Sequence, residues 1–79
     1  MTIYGITGTA TIDSSSNILV VLIARSTGEV MATQEIATGE VFTFWDLPKE
    51  VYQLVFFEKD FMYHAEILDY ITVNTEKEI

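Results

Sequence analysis

Glu40–Glu58 reads EVFTFWDLPKEVYQLVFFE, and the fold is decided in this stretch. Phe42 and Phe44 fall on one side of an extended chain, with Val41, Thr43 and Trp45 on the other. After the turn, Tyr52, Leu54 and Phe56 alternate with Val51, Gln53, Val55 and Phe57. Period-two placement of aromatic and β-branched residues marks strands whose two faces pack differently. Between the runs stands Asp46-Leu47-Pro48-Lys49-Glu50, with the one proline of the chain. Proline fixes φ, holds the preceding residue extended and has no N–H for a ladder, so strand pairing breaks there. Six of the ten aromatic residues lie in these nineteen positions, which makes them the core-forming segment.

Working outward, the same alternation recurs with turn residues between. Ile3–Ile12 puts Ile6, Gly8, Ala10 and Ile12 on one face, and Gly8 suggests a bulge or a close neighbour. Asp13–Asn17 is a loop by composition. Ile18–Arg25 is apolar on both faces, Val20, Leu22 and Ala24 one way and Leu19, Val21 and Ile23 the other. Gly28 suits the positive φ of a hairpin before the strand Val30–Ile36. A sixth strand, Tyr63–Val73, places Tyr63, Ala65, Ile67, Asp69, Ile71 and Val73 on one face, expected to be the inner one. Asn74–Ile79 reads as a charged, frayed tail. The expectation is an all-β, antiparallel sandwich of six to seven strands over residues 1–73, followed by a tail over 74–79.

With 79 residues there is room for one core, and a chain this short is marginal without staples or partners. No cysteine is present to form a disulfide or thiolate site, and one histidine cannot build a zinc centre alone. The net charge of −8, with four Lys and Arg residues scattered singly, speaks against nucleic acid as a partner. The longest apolar run, Ile18–Ala24, is far short of a membrane span, and MTIYGITG lacks the features of a signal peptide. Synthesis in the cytoplasm is expected, which leaves open release as part of a particle.

The segments I-x-G-x-A-x-I-D (from Ile6), V-x-L-x-A-R-S-T-G-E-V (from Val20) and G-E-V-F-T-F-W-D-L-P-x-x-V-Y-Q-L (from Gly39) resemble the transthyretin-like modules called carboxypeptidase regulatory-like domains. Gly8, Thr27-Gly28, Phe42, Phe44, Leu47-Pro48 and Tyr52 carry the likeness; Glu50 stands where the family usually has glycine, and the Asp13–Asn17 loop is shortened. The ending Y-H-A-E-I-L-D-Y-I-T (Tyr63–Thr72) is similar to one found on such modules in small proteins of tailed bacteriophages, with His64 for asparagine and Val73 for proline. The resemblance implies a transthyretin-like or Ig-like sandwich without catalytic activity. It also implies a virion location, in tail, baseplate or capsid, and attachment to a larger virion protein.

Candidates for chemistry are few. A Ser-His-Asp arrangement would have to join His64 to a hydroxyl among Ser14–Ser16 with a carboxylate behind it, yet no nucleophile elbow is present. Asp60, Glu66 and Asp69 could offer oxygen ligands to a cation, without the loop spacing of a calcium site. No cofactor is expected. Asp69 falls by alternation on the inner face, where a carboxylate needs partners, with Arg25 or Tyr52 as candidates. Tyr52 is placed to anchor the proline turn through its hydroxyl. Trp45 and Tyr70 are a possible carbohydrate platform, or rim packing at strand ends.

The surplus apolar face is more informative. A two-layer sandwich covers one face of each sheet, which leaves Leu19, Val21 and Ile23 over, joined by Val51, Val55 and Phe57 if the second and fifth strands are neighbours. Covering about 400 Å² of such a patch contributes roughly 10 kcal/mol before association costs. Either a partner or a second copy covers this face, or the Asp13–Asn17 loop folds over it.

Overall fold

The alternating runs become seven antiparallel strands: β1 (Thr2–Thr9), β2 (Ile18–Ala24), β3 (Val30–Ile36), β4 (Val41–Trp45), β5 (Tyr52–Glu58), β6 (Phe61–Ile71) and β7 (Thr75–Glu78). The computed structural model describes residues 1–12, 16–59 and 61–79, and the side chains of all of these but 61–64. The strands form two sheets, ordered β4-β1-β7 and β3-β2-β5-β6. This is a β-sandwich, all-β and antiparallel as the periodicity predicts. Among the described residues no helix is long and apolar enough to cross a membrane.

The core lies where the alternation puts it. Ile6 of β1, Val20 and Leu22 of β2, Phe42 and Phe44 of β4, and Tyr52 and Leu54 of β5 are all buried. Phe42 meets Phe44 at 6.0 Å between ring centroids and Phe56 edge-on at 5.7 Å, so one ring joins the two sheets. Gly8 explains itself here: a Cβ added to it would stand 2.9 Å from Cζ of Phe42, whose ring occupies that space.

The turns follow their residues. Gly28 takes φ 74°, and its N–H donates to the Ala24 carbonyl at 2.8 Å. At the proline turn, Leu47 N–H donates to the Tyr4 carbonyl (3.0 Å) and the Tyr52 hydroxyl donates to the Pro48 carbonyl (2.6 Å), the anchoring expected of that tyrosine. Beyond Thr9 the chain leaves the ladder. It is held instead by Gly39 N–H on the Ala10 carbonyl (2.8 Å) and Ile12 N–H on Thr38 Oγ1 (2.8 Å).

Two expectations need correction. Residues 74–79 are not a frayed tail, because β7 pairs with β1 from Thr2↔Glu78 to Gly5↔Thr75. The Asn74 side chain extends that pairing, accepting from Thr7 N–H (2.9 Å) and donating to the Thr7 carbonyl (2.9 Å). The second correction concerns β6. Leu54 pairs with Leu68 and Tyr52 with Ile71, so β6 spends one more residue than β5 over the same span. Tyr70, at φ 56°, sits in that bulge. A bulge reverses which residues face inward. Ile71 and Val73 pack against the core as expected, but Ala65, Ile67 and Asp69 lie on the outer face and are exposed.

Candidate functional site

Among the described residues nothing forms a second layer above the outer face of the four-stranded sheet, and its register brings the expected interface residues together. Leu19 lies opposite Phe57, Val21 opposite Val55, and Ile23 opposite Gln53. The row through Val21 continues to Thr33 on β3 and Ile67 on β6. Lateral neighbours nonetheless cover the middle of this face: Val21 is 9% and Val55 8% exposed. The uncovered apolar surface of this face lies at its two margins, Val30 (56% exposed) on β3, and Ile67 (62%) and Tyr70 (68%) on β6. Full burial of an aliphatic side chain is worth roughly 1.5–3 kcal/mol, so Ile67 has about 1–2 kcal/mol to offer a partner and Val21 only about 0.1–0.3.

Leu68 gives the β6 margin a second feature. It faces inward, paired with the core residue Leu54, yet it is 50% exposed. The reason is in the smaller sheet. β7 pairs only with Thr2–Gly5 of β1, and Asn74 carries the contact no further than Thr7. Past that point a cleft of about 450 Å³ opens between Ala10–Ile12 and β6, floored by Ile18, Phe56 and Leu68, with Glu58 and Glu66 also lining it.

A polar clamp ends this margin. Arg25 Nε donates to Asp69 Oδ1 at 2.8 Å, Gln53 Nε2 at 3.2 Å and Tyr70 N–H at 2.8 Å reach the same oxygen, and the guanidinium carbon lies 3.9 Å from the Tyr70 ring centroid. Asp69 therefore finds the partner that its sequence position calls for in Arg25, though on the outer face; Tyr52 is not part of the clamp. The Arg25 hydrogen bond, then the Tyr70 N–H, hold the Asp69 carboxyl below its ordinary pKa. A depressed carboxylate contributes stability above its unfolded pKa and loses it as pH falls through the folded value. Acidification below the ordinary carboxylate range is expected to loosen the bulge, read as lower amide protection at Tyr70 and Ile71 relative to the intrinsic exchange rate at each pH. Asp69→Asn should abolish that pH dependence.

Trp45 and Tyr70 are not brought together, since they stand on different sheets. Each ring already carries a cation, Lys77 at 4.5 Å from the Trp45 centroid and Arg25 on Tyr70. Ser14, Ser15, Asp60 and the side chain of His64 lie outside the described residues, and so does the part of the Asp13–Asn17 loop from 13 to 15. Among the described residues no three His, Cys, Asp or Glu side chains stand close enough to hold a metal ion. The cleft was not anticipated from sequence. Its signal is the Asp69-Tyr70 pair, where a polar residue interrupts the alternation and reverses the faces before it. Comparison with family models, with curated proteins and with solved structures gives no match.

Proposed function

We propose that this chain is a non-enzymatic structural module that docks on a larger protein. We place that assembly in the virion of a tailed bacteriophage, as a tail, baseplate or capsid-associated component. The docking part rests on one observation: an apolar sheet face, with no second layer among the described residues, runs out to exposed Ile67 and Tyr70 on β6. Exposed apolar side chains at the edge of an apolar face are where a protein partner gains free energy. The virion part rests on the resemblance of Tyr63–Thr72 to the endings of small phage proteins.

Mass spectrometry of purified particles from the phage that encodes this chain tests both parts. The chain is expected there in fixed stoichiometry. Its absence would overturn the virion assignment. Ile67→Lys should remove it from the particles, and Val21→Lys should do so where the whole face is covered. Ile67→Lys is expected to melt close to the parent, because the site is exposed and a lysine stem can lie along the sheet with its ammonium in water, whereas Val21 is buried and Val21→Lys is expected to melt lower. Retention of both variants would defeat docking through this face.

A further inference from the structure

We infer that an extended segment of a partner protein, whose cleft-facing side chains alternate apolar and cationic, adds as a strand to the edge of β6 and fills the cleft beside it. This deepens the docking reading above and rests on it. β6 ends the order β3-β2-β5-β6, so among the described residues no strand pairs with its far side. Every second residue of such a strand turns its N–H and C=O away from the sheet, and edges left in this state pair with whatever extended chain is offered. Peptides that dock in this way take affinity from the main chain and specificity from pockets for alternate side chains.

The pocket for those alternate side chains is present. Inward on β6 stand Glu66 and Leu68, opposite Phe56 and Leu54. A strand laid against Ala65–Leu68 directs its own inward side chains over the cleft. One then meets Leu68, Phe56 and Ile12, which suits an apolar side chain. The next inward position lies toward Glu66, which suits lysine or arginine. The outward positions continue the row that ends at Ile67. The bulge at Tyr70 and the Arg25–Asp69 clamp end the straight edge on one side, so the pairing segment is short.

Charge decides between a foreign strand and a second copy. Each copy carries a net charge of −8, and its four basic side chains are already engaged. Arg25 is on Asp69, Lys59 on Glu35, Lys49 over the Tyr4 ring and Lys77 over the Trp45 ring. A second copy has no uncommitted cation for Glu66 and brings like charge to the cleft. A cationic segment of another protein brings the complement.

The test is an NMR titration of the ¹⁵N-labelled full chain with the peptide acetyl-Thr-Lys-Val-Leu-Val-Lys-Thr-amide, whose order reads alike in both directions. Shifts and slowed amide exchange at Ala65–Leu68 are expected. The peptide with both lysines replaced by glutamate should bind at least about tenfold more weakly, and Glu66→Lys should invert that preference. Glu66 is exposed, so the variant is expected to fold, and the same spectrum reports it. No binding at millimolar peptide overturns the inference, as does equal binding of the two peptides. Shifts confined to Leu19, Val21, Ile23 and Phe57 would overturn edge addition while leaving face docking intact. The particle experiment separately decides the docking reading itself.

Discussion

Tyr52→Ala is expected to cost about 4–5 kcal/mol, at the upper end for removing a large buried side chain. A domain of this length holds roughly 4–12 kcal/mol in all, so the variant is expected to be partly or wholly unfolded at physiological temperature. The reason is position. Tyr52 is fully buried, pairs with Ala24 on one side and Ile71 on the other, and fixes the proline turn through its hydroxyl. Tyr52→Phe separates these roles. It keeps the ring and loses one hydrogen bond to a carbonyl that water can reach, for about 1 kcal/mol. Burial raises the Tyr52 pKa. A raised folded pKa means that the contribution is complete below the unfolded value and is lost as pH rises through the folded one. Melting temperature should therefore fall in strong alkali for the parent and less so for Tyr52→Phe. Melts of Tyr52→Ala within a degree or two of the parent would mean that β4, β5 and the crossover between them are not the core.

The two strands flanking the proline turn show how far a sequence carries. Phe42 and Phe44, then Tyr52, Leu54 and Phe56, face the core because aromatic residues at period two leave a strand one way to bury them. Gly8 was legible as a close approach, although that the neighbour is the Phe42 ring was not. β7 was illegible because Thr75-Glu76-Lys77-Glu78 has nothing apolar to pattern; it forms because β1 offers an edge there. Side chains then reinforce it, Lys77 over Trp45 and the Thr2 hydroxyl on Glu78. Simple alternation assigns the faces of β6 the wrong way round from Ala65 to Asp69, since one inserted residue reverses it and short polar breaks do not announce which way. That reversal decides the candidate site. It carries Ile67 onto the outer face and turns Leu68 and Glu66 toward the cleft. The residues expected to form an interface do share one face, but grouping does not reveal coverage. Val21 and Val55 lie mid-sheet, where flanking side chains already exclude most water.

Gly5→Ala is the second substitution expected to fail outright, for the opposite reason of too little space. A Cβ at Gly5 would stand 2.5 Å from the Phe44 carbonyl oxygen and 2.8 Å from Cε3 of Trp45. Gly5 pairs with Trp45 on one side and Thr75 on the other, so β1 cannot retreat from one neighbour without disturbing the other. Overpacking a core costs about 1–3 kcal/mol when side chains can shift, and more when the obstruction is backbone, as it is here. The other glycines calibrate this. At Gly8 the added methyl meets a ring edge, which can tilt by tenths of an ångström, so Gly8→Ala should cost less. At Gly28 nothing lies within 4 Å and only the positive φ is strained, for about 1 kcal/mol. Thermal melts should rank the three losses Gly5, Gly8, Gly28 from largest to smallest. A Gly5→Ala protein as stable as Gly28→Ala would refute the register of β1 against β4. That register also has a functional consequence. It sets where β1 ends, and Ala10–Ile12 beyond it form the wall of the cleft facing β6. A chain that slipped by one residue at Gly5 would turn the inward faces of β1 out and lose the groove in which a partner strand is proposed to lie.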